Sequence, residues 1–210
     1  MARPRKSDHT RQLLLETGVQ MLTEHGYHGT GIKQVLDAVG VPKGSFYNFF
    51  PSKEAFVASI IYQYEDDTGE EFMQAVAGFE REPALTQLWY SFRNKVRNRE
   101  AAGKSCACLL GGLSAEIAQA SPLCNKALAE VQQRWIDTLE ALIERARQQG
   151  DVQTRASTRD TARLIFNCWQ GGLLQYQVSG DTDALLHQLM TLMKNLATES
   201  GRALLAEAEL

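Results

Sequence analysis

The chain has 210 residues, 44% of them apolar and 22% charged, and a net charge of −3. That size and content suit one large or two small folded domains, and the acidic balance excludes a basic protein that coats nucleic acid along its length. No uncharged run reaches the ~20 residues a membrane-spanning helix needs, and no apolar stretch follows the basic start to make a signal peptide, so the expected setting is the cytoplasm with reduced cysteines.

In chain order, residues 1–7 are basic, interrupted by Pro4 and aperiodic, which suits a mobile arm able to touch phosphates. Residues 8–25 bring Leu14, Leu15, Gly18, Val19 and Leu22 back at helical spacing, with Gly26 where a left-handed terminating residue belongs. Thr30 reads as the N-cap of a short helix whose apolar face is Ile32, Val35, Leu36 and Val39. Gly40 supplies a tight turn. Pro42 suits the first turn of a second short helix, ending near Pro51, and sets Lys43, Gly44 and Ser45 at its exposed N-terminal end. These are the parts of a helix-turn-helix, in which such N-terminal residues meet base edges. Lys43 can donate to a guanine edge or a phosphate, Gly44 permits close backbone approach, Ser45 and Tyr47 offer hydroxyls, and Lys53 is placed for phosphate.

Ser52 caps a fourth helix carried forward by Phe56, Ile60, Ile61 and Tyr64. Residues 80–83 interrupt the pattern, and Leu85, Leu88, Trp89, Phe92 and Val96 resume it until Gly103. Residues 106–120 read as a mostly apolar helix, and Ser121-Pro122 open a long one that ends at Gly150. Ser157 or Thr158 caps the next, closed by Ser179-Gly180, and the last spans about residues 182–200 before a tail rich in Ala and Glu. No segment alternates with period two for long, so the expected class is all-α with about nine helices: a head over residues 1–51 and a larger helical body over 52–210. Charge divides similarly, with seven Lys/Arg against five Asp/Glu up to residue 60 and fifteen against twenty beyond it.

Thr30, the run from Ala38 to Val41, Lys43-Gly44, Tyr47, Phe50 and Lys53-Glu54 closely resemble the DNA-binding signature of TetR-family transcriptional repressors, and the likeness covers roughly the first 60 residues. One departure is Phe49, where the family usually carries His or Tyr with a polar tip for phosphate. The resemblance implies a homodimer on a palindromic double-stranded operator, released when a small molecule or an electrophile acts on the helical body. It implies no enzyme, no cofactor and no membrane partner.

The run from Cys108 through Leu113-Ser114-Ala115-Glu116 resembles the NemR/AcuR-like subgroup of that family, in which the cysteine matching Cys108 is tied to sensing electrophiles or oxidants. Where that subgroup has a lysine on a later helix this chain has Gln177. Physically, Cys108 falls near a helix N-terminus with Lys104 one turn away, a setting that favours thiolate. Read as one helix, residues 106 and 108 point about 200° apart at ~3.6 residues per turn, so Cys106 and Cys108 cannot share a metal, and the scattered histidines complete no ligand set. Inert packing of Cys108 is the competing reading.

Trp89, Phe92, Trp135, Phe166 and Trp169 all lie outside the head, where they line either a core or an effector pocket. Leu164, Phe166, Trp169 and Leu173, with Leu185, Leu186, Leu189, Leu192 and Met193, exceed what one internal face needs; with Gly171-Gly172 they suit a dimer interface. Two other classes fit the residues less well: a thiol-dependent enzyme using Cys108 with Glu116 or His187, for which no nucleophile elbow, metal motif or phosphate loop is present, and a helical interaction module without DNA contact.

Overall fold

The computed structural model describes residues 6–103, 106 and 108–209, so most of the expected arm at residues 1–7, and Lys104, lie outside the described residues. The chain is all-α, with ten helices among the described residues: α1 (Lys6–Gly29), α2 (Ile32–Val39), α3 (Lys43–Phe46), α4 (Lys53–Gly78), α5 (Ala84–Ala101), α6 (Leu109–Ile117), α7 (Pro122–Gln148), α8 (Thr158–Ser179), α9 (Thr182–Leu196) and α10 (Glu199–Glu209). The tail rich in Ala and Glu is itself a helix. Gly201, Leu205 and Ala208 recur at helical spacing and are buried, so α10 covers apolar surface in spite of its charge. None of the described helices is long and apolar enough to cross a membrane.

The residues pack as two compact units, one formed by residues up to 67 with 108–131 and the other by 68–107 with 132–210. Both units are discontinuous in sequence because α4 and α7 contribute residues to each. The first unit contains α1, α2, α3 and α6 around a core that includes Leu14, Leu15, Val35, Leu36, Phe46, Phe50, Phe56, Ile60, Leu113 and Ile117. α1 touches both α2 and α6. Gly18 is the close approach: any Cβ there would meet the side chains of Ile60 and Phe56, so α1 and α4 pack with almost no side chain between them.

In the second unit α8 packs on α9, while α5 packs on α10 and α9. Ser157 caps α8 through Asp160 N–H, and Asp181 caps α9 through Ala184 N–H. A single antiparallel bridge among the described residues, Val152 to Ala197, joins the α7–α8 connection to the α9–α10 connection, with Gln153 N–H donating to Leu196 O at 3.0 Å and Thr198 N–H to Asp151 O at 2.9 Å. The end of α10 is held by α5: Arg93 donates to Ala208 O at 2.7 Å and Trp89 Nε1–H to the same oxygen at 3.4 Å.

Candidate nucleic-acid interface

α3 is one turn long, too short to be stable by its own hydrogen bonds, so its conformation is imposed by packing. Phe46 and Phe50 are fully buried and meet Phe56 of α4 at ring-centroid distances of 5.5 and 4.8 Å. Each ring so buried contributes about 1.5–3 kcal/mol. The turn then continues by short-range bonds, Asn48 N–H to Ser45 O at 3.2 Å and Phe49 N–H to Phe46 O at 2.9 Å. Inward phenylalanines force the alternate positions outward. Lys43, Gly44, Tyr47 and Asn48 are exposed and Ser45 is half-exposed.

The α2–α3 turn forms as its residues dictate. Gly40 adopts φ 67°, ψ 30°, and its N–H closes the end of α2 on Asp37 O and Leu36 O. Pro42 precedes α3 as its N-cap, at φ −60° and ψ 141°, rather than occupying the first helical position expected, because its extended ψ lies outside the helix, which starts only at Lys43. Beyond Gly44 there is open space where a Cβ would stand, so a partner's backbone could approach closely.

Two expected contact residues are placed otherwise. Thr30 is buried, with its hydroxyl donating to Met21 O at 3.1 Å, and the N-cap of α2 is Gly31, whose N–H is met by the Gln34 side chain at 2.6 Å. Lys53 turns inward: its ammonium donates to Tyr27 O at 2.8 Å and lies 3.9 Å from the centre of the Tyr27 ring. Burial lowers its pKa, with Glu54 and Glu116 opposing. The reason in both cases is the α1–α2 joint. Gly26, at φ 69° and ψ −177°, breaks α1 and leaves backbone groups that Thr30, Lys53 and Glu116 satisfy.

Phe49, the departure from the resembling pattern, is half-buried with its ring 6.5 Å from Phe50, a packing position without a polar tip. Two groups the sequence reading did not single out complete the exposed face. Asn48 is one. Arg11 of α1 is the other, its guanidinium 5.2 Å from the centre of the Phe50 ring and free of any acidic partner among the described residues. Its helical position on the polar side of α1 was the available signal.

Cys108 is the N-cap residue of α6, half-buried against the core of the first unit, and Gly112 N–H donates to its carbonyl at 3.3 Å. Cys106 is not on that helix, contrary to the single helix expected over residues 106–120, because α6 starts only at Leu109. It is buried, its thiol directed at Val96 O at 3.9 Å, and burial raises its pKa. Cys124 and Cys168 are raised for the same cause. Among the described residues no group of three His, Cys, Asp or Glu is placed to hold a metal ion.

In the second unit, Trp135, Phe72, Phe92 and Trp169 form a continuous row of rings at 5.2, 5.2 and 4.7 Å between centroids. Trp89 and Phe166 are buried without joining that row. Phe72 borders a cavity of about 230 Å³ whose other walls include Glu71, Ser91, Asn94, Lys95 and Asn98, with Lys95 paired to Glu71 at 3.0 Å. Most of the apolar rows on α8 and α9 are spent within the chain: Phe166, Trp169, Leu173, Leu185, Leu186, Leu189 and Met193 are buried. Gly172 is needed for that packing, since a Cβ would strike Leu185, whereas Gly171 faces open space. What remains outward on α8 is Leu164, Leu174 and Val178, the last 92% exposed.

Comparison with known proteins agrees with this geometry. A family described as "Bacterial regulatory proteins, tetR family" matches residues 14–60, and one described as "Tetracyclin repressor-like, C-terminal domain" matches residues 78–192. The chain is 28% identical to the transcriptional repressor NemR of Escherichia coli K12, covering 90% of this chain and 94% of that one. It is 25% identical to the repressor DhaR of Mycobacterium sp. strain GP1, with 90% and 97% covered, and 26% identical to the regulator AcuR of Cereibacter sphaeroides, with 90% and 86% covered. The crystal structure of reduced E. coli NemR superposes with a TM-score of 0.81 at 25% identity, covering 90% of this chain and 97% of that one.

Proposed function

The chain belongs to the TetR family of bacterial regulatory proteins and is a helix-turn-helix transcriptional regulator, and we propose that it acts as a homodimeric repressor released from a palindromic operator by a small molecule or electrophile. Residues 1–51 serve as the reading domain and residues 52–210 as the effector-binding and dimerisation domain. The observation that carries DNA contact is the outward tip of α3: Lys43 has no hydrogen-bond or ion-pair partner among the described residues, Gly44 leaves the backbone open, and Ser45 and Tyr47 flank them. Arg11 and Asn48 extend that face, and Thr30 and Lys53 support it from inside.

A palindromic site requires two heads related by a twofold axis. The stripe of Leu164, Leu174 and Val178 beside Gly171 supports α8 as the element that meets a second copy. For release, Cys108 at the α6 N-cap supports an electrophile or oxidant acting on its thiol, and the aromatic row with its neighbouring 230 Å³ cavity supports a noncovalent ligand. The thiol-enzyme reading is weakened at one of its two candidate bases, because the Glu116 carboxylate is engaged by backbone amides at 2.9 and 3.1 Å, and His187 remains the other. The expected setting for a regulator of this kind is the cytoplasm.

Selection of tight-binding duplexes from a random-sequence pool by the full chain tests the first part: enrichment of an inverted repeat is the expected result, and no enrichment removes the DNA-binding reading. With the selected duplex, N-ethylmaleimide should release wild type and spare Cys108→Ser. Equal release of both would move the reaction to another of the chain's thiols, and release of neither would leave the cavity ligand as the mode of induction.

A further inference from the structure

The joint between α1 and α2 is gripped from both sides at a single residue. Because Gly26 breaks α1, the N–H groups of Tyr27 and His28 lose their intrahelical acceptors. Both are taken up by Oε2 of Glu116, near the end of α6, at 2.9 and 3.1 Å. On the other side of the Tyr27 residue, its carbonyl accepts from Lys53, the first residue of α4, and its ring lies under the same ammonium. A carboxylate on paired amides and an ammonium on a carbonyl are charge-assisted bonds, stronger and more directional than neutral ones. Gly26 is committed to the arrangement twice over, by its positive φ and because a Cβ there would collide with the Glu116 carboxylate.

We propose that Glu116 and Lys53 form a clamp on Tyr27 through which α6 sets the position of the reading head. Glu116 lies eight residues beyond the N-cap residue Cys108, about 12 Å along the axis at ~1.5 Å per residue, so a displacement of the start of α6 is delivered to the clamp as a rigid movement. When α6 shifts, the carboxylate leaves the Tyr27 and His28 amides, the α1–α2 joint loosens, and α3 is no longer presented at a fixed angle. The clamp is thus a two-state element of the sort an effector can bias. This role rests on the reading of α2 and α3 as the DNA-contacting pair. It gives Lys53 a positioning function in place of a phosphate contact.

The test uses the full chain and the duplex selected by wild type. Glu116→Ala should lower affinity by about tenfold or more, the scale of losing at least one hydrogen bond to a charged group, and should broaden the preference among operators whose half-site spacing is altered by one base pair. Its salt dependence should match wild type, since no phosphate contact is lost. Glu116→Gln, which keeps an acceptor and the side-chain shape, should fall between them, and it decides the matter if the alanine variant does not fold. Amide exchange at Tyr27 and His28 should accelerate in both variants.

Lys53→Met should likewise weaken binding with an unchanged salt slope. Wild-type affinity and spacing preference in Glu116→Gln and Glu116→Ala would overturn the clamp, and so would a drop of about one in the salt slope of Lys53→Met, which marks a phosphate contact. If wild type retains no duplex at all, the DNA-binding reading falls and the clamp's role falls with it. That result is told apart from failure of the clamp alone, in which wild type still binds.

Discussion

The two packing units use their positive charges differently, although the second also leaves Arg81, Arg147 and Arg155 exposed without an acidic partner among the described residues. In the second, Arg97 is held by Asp183 and Glu100, Arg159 by Asp137 and Glu140, Lys194 by Glu209 and Lys95 by Glu71. In the first, Lys33 is paired with Asp37 and Lys53 is turned inward, but Lys43 and Arg11 face outward without an acidic partner among the described residues. The counts of basic residues hint at this only faintly. Whether a cation can meet a phosphate depends on whether a carboxylate has already claimed it, and that is a property of packing rather than of composition.

The same contrast appears in how each unit holds its shape. The head depends on a few phenylalanines under a one-turn helix, and the body depends on long helices with many contacts. The strongest way to break the comparison is Phe46→Ala, which should cost about 3–5 kcal/mol and abolish duplex binding. All three tryptophans lie in the second unit, so their fluorescence should stay native in denaturant while amide exchange in α2 and α3 reports the loss. A simultaneous change in tryptophan emission would show that the two units melt as one.

Gly26→Ala comes next, at about 1–3 kcal/mol for the disallowed backbone conformation, read as a lowered denaturation midpoint. A fully native midpoint would mean that the α1–α2 joint can take another form. Lys43→Ala should lower the slope of binding against salt by about one if it meets phosphate, or relax specificity at one base if it reads the groove, whereas Arg159→Gln should change neither. Equal effects from the two would remove the distinction between claimed and unclaimed cations.

The smallest effect concerns the thiols. Burial raises the pKa of Cys106 and of Cys124, so both are protonated near neutral pH and should alkylate slowly there. Their rates should climb as pH passes above the ordinary thiol range. The sign for stability follows: folding favours the neutral thiol, a contribution present below the unfolded-state pKa and lost as pH rises through the folded value. Mass-spectrometric mapping of labelled sites against pH checks it, and rapid labelling of Cys106 at neutral pH would contradict its burial.

Much of the head was legible residue by residue. Gly40 had to turn left-handed, Ser52 had to cap α4, and the periodicity of α2 named Val35 and Leu36 as core; all follow from local bonding rules that need no knowledge of the rest of the chain. Gly180 and Ser157 at the ends of α8 obey the same rules. What local rules could not reach was the choice among partners. Thr30 and Lys53 have side chains suited equally to a strand of DNA and to a carbonyl, and only the folded end of α1 commits them inward, Thr30 to Met21 O and Lys53 to Tyr27 O.

Long-range burial escaped in the same way. The apolar rows of α8 and α9 looked surplus to one chain until α5 and α10 were seen to share that unit, and α10 itself was hidden by its charged residues. The amino-acid order by itself determined the helical class, the helix-turn-helix and most helix ends, because those rest on hydrogen bonds and φ/ψ preferences within a few residues. The tertiary structure alone decided which cations stay free, which cysteine caps α6 and which carboxylate grips the head, because those depend on contacts between segments as far apart as Tyr27 and Glu116.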